Sequence, residues 1–158
     1  MKLMKSHYTR ASVKKDTKNI YVFTDNQDRN SGKNAIPDDS EYSKRFNKTD
    51  LHYPTMTSAK IRGLDNAFPI TTQKHYVAGI SSWKGNWNDE DFEDFKKVID
   101  ADFEIIKEAC VKLKPVAVIF PENGVLNSNI SKLTFERTPL LYNYIIKKEI
   151  ELRDFKID

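Results

Sequence analysis

The sequence predicts an α/β domain of three layers around a largely parallel or mixed sheet. Three observations lead there. Strand-like and helix-like patterns alternate along the chain. Val116-Ala117-Val118-Ile119-Phe120 is an apolar run without alternation, as in a strand buried on both faces. Phe92, Phe95, Val98, Ile99, Phe103, Ile106, Cys110 and Leu113 recur at three- and four-residue spacing, which makes one apolar helical stripe able to cover such a sheet.

Residues 1–18 read as a basic leader ahead of a single domain over 19–158. Lys2, Lys5, Arg10, Lys14, Lys15 and Lys18 stand there against Asp16 alone. Such a leader is either a solvated, disordered tail or an arm that touches phosphate or an acidic partner. Ile20-Tyr21-Val22-Phe23 reads as the first strand. Residues 24–53 are polar and read as one long loop, with room for a short helix over Glu41–Phe46. Pro54–Leu64 reads as a short helix that Thr55 or Thr57 can cap and Gly63 can end.

Asn66–Thr72 reads as a second strand, with Pro69 at an edge, a bulge or a strand end because it cannot donate to a ladder. His75–Ala78 suggests a further short strand, and Ser81–Trp87 a loop. Asn88 caps the long helix, and Asp89, Glu90 and Asp91 complement its dipole. Pro115 stops it. After the apolar strand, Pro121-Glu122-Asn123-Gly124 turns the chain, 125–137 are irregular, and Thr138-Pro139 opens a last helix.

The composition sets bounds on function. The chain has 158 residues, one ordinary domain, with 39% hydrophobic and 31% charged residues. A formal charge of +3 falls short of the basic footprint of a dedicated nucleic-acid binder. Cys110 is the single cysteine, so no intramolecular disulfide or cysteine-based metal cluster can form. No apolar signal core or membrane-length run stands out. A soluble cytoplasmic protein without a membrane partner, cofactor or bound metal is the expectation.

Chemistry is expected where polar loops follow strands, since α/β sheets place ligands beyond the carboxyl ends of their strands. The loop after Phe23 carries Asp25, Asn26, Asp28, Arg29, Ser31, Gly32, Lys33 and Asn34. The loop after Phe120 carries Glu122, Asn123, Gly124, Asn127, Ser128 and Asn129. In a parallel sheet both emerge on one edge. Hydroxyls, amides and small residues let backbone N–H groups approach an anion, and Arg29 or Lys33 can neutralise it. The same residue types also simply form turns. Ser31-Gly32-Lys33 is not a P-loop, because the first glycine and the hydroxyl after the lysine are missing. Asp25, Asp28 and Glu122 could hold a cation or act as acid and base. His7, His52 and His75 have no ligand spacing. Trp83 and Trp87 flank Lys84-Gly85-Asn86 and either stack on a partner or cap the core.

Several segments together resemble a family of small, largely uncharacterised phage and bacterial proteins. Val22-Phe23-Thr24-Asp25-Asn26 with Ser31-Gly32-Lys33 is similar to its V-F-G-D-N … G-G opening. Ala59-x-x-Arg62-Gly63-x-x-Asn66-Ala67-Phe68-x-Ile70-x-Thr72 resembles its G-x-x-N-A-F-x-I-x-T segment. Asp89–Lys97 matches its acidic helix start, and Pro121-x-x-Gly124 with Thr138-Pro139 its C-terminal pattern. Thr24 stands where the family has glycine, and the loop holds one glycine where several are usual. That family in turn resembles macrodomains, which bind ADP-ribose through loops after parallel strands.

The resemblance implies a macrodomain-like layout and a phage-type protein that binds or hydrolyses an ADP-ribose- or nucleotide-like ligand. Asn26 would then orient a sugar or amide. Arg29, Ser31, Gly32, Lys33 and Asn34 would hold phosphate. Asp25 or Asp28 would be the acid/base, and Asn66, Asn123 and Gly124 would form further walls. The alternative is a non-enzymatic factor that contacts a host protein through the basic leader and Trp83/Trp87.

Overall fold

The computed structural model describes residues 1–29, 35–37, 52–54, 57–77, 79–126 and 133–157. In chain order these hold β1 (Leu3–Ser6), α1 (Arg10–Lys15), β2 (Ile20–Asn26), β3 (Ala35–Pro37), β4 (His52–Pro54), a 3₁₀ turn (Ser58–Ile61), β5 (Ala67–Gln73), a kinked 3₁₀ segment (Gly79–Gly85), a short 3₁₀ turn (Asp89–Asp91), α2 (Phe92–Leu113), β6 (Val118–Pro121) and α3 (Pro139–Arg153). β3 and β4 form a separate antiparallel pair.

The main sheet has the order β1-β6-β2-β5, and all its described pairings are parallel. β6 therefore lies inside the sheet, as its unbroken apolar run requires. One face is covered by α2 and α3, where Val22, Ile70, Phe95, Ile99, Phe103, Leu141 and Ile145 pack in one buried cluster. The other face carries Val13 of α1, Ala59 and Ile61 of the 3₁₀ turn, and Tyr21, Phe23 and Ile119. Connections running from β1 to β2 and from β2 to β5 share this second face, while the return from β5 to β6 uses α2 on the first. A uniform right-handed crossover demands that arrangement. The fold is thus a three-layer α/β domain.

Four sequence expectations need correction. Residues 1–18 are not a leader: Leu3–Ser6 are an edge strand on β6, and α1 buries Val13. Thr9 caps α1 by accepting the Ser12 N–H at 3.1 Å. The leader's mixture of lysines with single apolar residues hid a short edge strand, whose outer side needs no apolar face. The stretch 54–64 is no α-helix. Pro54 ends β4, and only a 3₁₀ turn forms at Ser58–Ile61 before Gly63 turns at a φ of 98°. His75–Val77 form no strand, while Ala78 lies outside the described residues. The loop expected over Ser81–Trp87 is largely 3₁₀, and Gly85 is required there because a Cβ would sit 2.1 Å from the His75 carbonyl oxygen. The helix considered over Glu41–Phe46 lies outside the described residues.

The long helix starts as the sequence indicates. Asp89–Asp91 form its 3₁₀ entry, and the Asp91 carboxylate accepts the Asn88 N–H at 2.9 Å. Pro69 lies in β5, an edge strand, where a missing donor is tolerated. No helix among the described residues is long and apolar enough to cross a membrane.

Candidate functional site

Parallel pairing brings the carboxyl ends of β1, β2, β5 and β6 to one edge. The loops after β2 and β6 therefore emerge together, as expected. Two different polar assemblies occupy this edge.

The first sits at the ends of β2 and β5. Here β2 continues three residues beyond Phe23, so Thr24, Asp25 and Asn26 are strand residues and buried. Asp25 and Arg62 form a bidentate pair: Arg62 Nε donates to Oδ2 at 2.9 Å and Nη2 to Oδ1 at 2.6 Å. Both side chains are essentially inaccessible to water. Arg29 adopts a left-handed φ of 52° and turns back over the strand end. Its guanidinium reaches Asn26 O at 2.8 Å and Thr71 Oγ1 at 3.1 Å, and lies 3.7 Å from Asp25 and 3.9 Å from Asp102.

Asp102 comes from α2. Its Oδ2 accepts the Thr71 N–H at 2.8 Å, while Trp87 Nε1 donates to the Thr71 carbonyl at 3.0 Å. These side chains satisfy backbone groups of an edge strand that has no outer neighbour among the described residues. Burial pushes the Asp102 carboxyl up to about 6, against the opposing pull of Arg29. Two carboxylates and two guanidiniums thus neutralise one another inside the protein.

The acid/base role expected for Asp25 conflicts with this geometry. Arg62 holds both its oxygens, the Asn26 N–H donates to Oδ1 at 2.9 Å, and water is excluded. Asp28 is half-exposed and lies 3.0 Å from His75 Nδ1, while Asn26 is buried with its Oδ1 accepting the Asp28 N–H. Asn66 belongs to the other end of the sheet. Its amide donates to the Val13 and Asp16 carbonyls at 2.9 Å each and so fastens α1, which removes it from the carboxyl-edge site. Ser31, Gly32, Lys33 and Asn34 lie outside the described residues.

The second assembly sits over β6. The β2–β6 ladder stops at the Tyr21/Ile119 pair, although β2 runs on to Asn26. Beyond that point side chains take over the exposed edge of β2. Tyr8 Oη donates to the Val22 carbonyl at 2.9 Å, and the Thr24 N–H donates to Ser58 Oγ at 3.0 Å. Around these groups is a crevice of about 230 Å³ lined by Ser6, His7, Tyr8, Thr57, Ser58, Lys60, Pro121 and Glu122.

β6 leaves its carboxyl end toward α3 on one face, while its neighbours β1 and β2 leave toward the opposite face. The crevice is therefore at a topological switch point, the usual ligand position in an open α/β sheet. Burial raises the Tyr8 pKa well above the ordinary phenol value, so its hydroxyl stays a neutral donor. Lys60 Nζ lies 5.7 Å from the Tyr8 ring, and Arg10 holds the Lys60 and Arg62 carbonyls at 3.0 and 2.7 Å. His7 and Glu122 are exposed and 3.8 Å apart across the mouth. Asn123 and Gly124 follow directly. Gly124 turns at a φ of 75°, with the Lys5 side chain 3.4 Å from where a Cβ would be.

Sequence reasoning missed Tyr8, Ser58, Lys60, Arg62 as an ion-pair partner, and Asp102. The segment Arg62-Gly63-x-x-Asn66-Ala67 reads in the sequence as a helix C-cap or a third wall of the site, with nothing to indicate Arg62's carboxylate partner, and Asp102 was hidden in the helical stripe. Its signal is a carboxylate at a position flanked by Ile99, Phe103 and Ile106, where a polar group needs a buried partner. Trp87 is buried against Phe95, with centroids 5.5 Å apart, whereas Trp83 is 65% exposed. The two tryptophans therefore do not form one surface.

A model of a family of unknown function, DUF7831, matches residues 3–148. No curated protein and no solved structure matches the chain.

Proposed function

We propose that this chain, which belongs to the DUF7831 family of unknown function, binds a nucleotide-like ligand in the crevice over β6. The observation that carries the reading is the position of that crevice at the switch point, where Tyr8 and Ser58 replace a strand neighbour and leave an opening beside them. Its lining offers hydroxyls from Ser6, Thr57 and Ser58, a cation at Lys60, an imidazole at His7 and a carboxylate at Glu122. That set suits a sugar phosphate: cation and hydroxyls for the phosphate, carboxylate for sugar hydroxyls. A volume of about 230 Å³ is below the roughly 300–1,000 Å³ of a drug-sized site, so one moiety enters and the rest lies outside. ADP-ribose, with a terminal ribose phosphate, fits that division and is the ligand class that the macrodomain resemblance implies.

The test is a thermal-shift panel of ribose 5-phosphate, ADP-ribose, NAD, common nucleotides and cyclic dinucleotides, with and without magnesium. Ligand binding to the native state raises the melting temperature by mass action. Stabilisation by a sugar phosphate is the expected result, and a flat response across the panel would overturn the reading.

One observation favours the second reading, a host-protein interaction. Ile80 is fully exposed and Trp83 is 65% exposed. Both stand on the kinked 3₁₀ segment Gly79–Gly85, on either side of the kink at Ser81. Removing residues 1–18 would not test this, because β1 and α1 belong to the fold. Ile80→Ser with Trp83→Ala would: partner capture should fall while the melting temperature holds.

A further inference from the structure

The amino edge of the sheet, opposite the crevice, carries a separate surface. Lys2 precedes β1, Lys18 precedes β2, Lys14 and Lys15 form the last turn of α1, and Lys112 and Lys114 close α2. The backbone joins these points directly. The Val116 N–H donates to Lys18 O at 2.8 Å, and the Val118 N–H donates to Lys2 O at 2.9 Å. All six lysines are exposed, and none makes an ion pair among the described residues.

Apolar side chains stand among them: Val111 is 53%, Leu113 50% and Val116 66% exposed. The acidic residues described at this end include Asp16, Asp65, Glu108, Glu151 and Asp154, since Met1 ahead of β1 donates to the Arg153 and Phe155 carbonyls at the end of α3. Glu151 pairs with Lys148 at 3.0 Å and Asp154 with Arg153 at 3.1 Å. Asp16 is already occupied, accepting from the Lys18 N–H, the Asn19 amide and the Tyr21 hydroxyl. The left-handed Lys114 (φ 48°) caps α2 through its N–H on Cys110 O and sends the chain round so that Leu113 and Val116 flank it.

We propose that this edge docks the protein on an anionic lipid surface. Charge complementarity chooses the class, and the aliphatic residues choose among anionic partners. Base stacking uses exposed aromatic side chains and forked phosphate recognition uses a free arginine; the exposed stretch from Val111 to Val116 offers valine, leucine and lysine, while Phe155 packs on the core and Arg153 is held by Asp154 at this edge. Aliphatic side chains enter the headgroup–acyl boundary, and lysines lay their stems along it while their ammonium groups reach phosphate. Docking here would turn the crevice over β6 toward the solvent, free to receive a soluble ligand. The inference does not depend on the crevice being a ligand site.

The experiment is co-sedimentation of the full chain with phosphatidylcholine vesicles that contain or lack phosphatidylserine. Binding to the anionic vesicles alone is expected, weakening as salt rises. Lys112→Glu/Lys114→Glu should lower partitioning by more than about tenfold, and Leu113→Ser/Val116→Ser should weaken it at low salt, with melting temperatures unchanged. Absence of binding at low salt, partitioning that both double variants leave intact, or binding to duplex DNA or polyglutamate but not to vesicles would each overturn the proposal.

Discussion

The two polar assemblies at the carboxyl edge are built from similar residues and have opposite fates. Over β2 and β5, Asp25, Arg62, Arg29 and Asp102 turn inward and pair with one another, with Arg62 Nη1 the one buried nitrogen of the set left without a hydrogen bond among the described residues. Over β6, Ser58 and Tyr8 satisfy the backbone, while His7, Lys60 and Glu122 face an opening. The difference lies in strand pairing. β2 and β5 stay in register from Tyr21/Ala67 to Asp25/Thr71, so their ends close on each other, whereas β2 and β6 part after two pairs. Here a polar cluster beyond a strand end stays open to solvent only where the ladder has stopped early.

The largest effect should come from breaking the closed assembly. Arg62→Ala leaves Asp25 buried without its fork, and removing one partner of a buried pair costs roughly 3–5 kcal/mol. Urea unfolding should show that loss. A small change would mean the network is more open to water than its burial indicates.

Next is a pH dependence centred on Asp102. Its folded pKa is raised from 3.8 to about 6, so between those values the folded state holds a proton that the unfolded state has lost. This group's contribution to stability is therefore fully present below 3.8 and is lost as pH rises through about 6. Asp102→Asn keeps an acceptor for the Thr71 N–H without the buried charge. The stability of the variant relative to wild type should thus rise with pH across this window, by on the order of 2–3 kcal/mol. A difference that is flat with pH would contradict the burial argument.

Much of the fold was legible in the sequence because it rests on burial. The Ala117–Phe120 part of the apolar run, the stripe from Phe92 to Cys110 and the Thr138-Pro139 start each reflect a local pattern, while Val116 and Leu113, expected to be buried with them, are exposed. β1 was illegible because an edge strand of four residues with Met4 and Lys5 exposed shows no such pattern. The carboxyl edge was also legible as a place, through its run of polar residues. Which of those residues face inward was not. That depends on Arg62 and Asp102 arriving from segments 37 and 77 residues further along the chain than Asp25. Asn66 misled for the same reason: its motif neighbours lie on β5, yet its side chain serves α1.

A smaller effect is expected at the boundary between the two assemblies. Ser58→Ala removes the acceptor for the buried Thr24 N–H and should cost about 1–3 kcal/mol while also weakening a bound sugar phosphate. At the open crevice the balance reverses. Lys60→Ala and His7→Ala should change stability by no more than about 0.5 kcal/mol. Lys60→Ala should still lower affinity for a phosphorylated ligand by roughly tenfold or more, as read by calorimetry.

The most direct test fills the crevice without touching the closed network. Thr57 lines the opening, and its side chain makes no capping hydrogen bond. Thr57→Trp should therefore occlude the space and leave the melting temperature near that of the wild type. Calorimetric titration of both proteins with the sugar phosphate that stabilises the wild type should show binding lost in the variant. Equal affinity in the two proteins would place the ligand elsewhere and contradict the account.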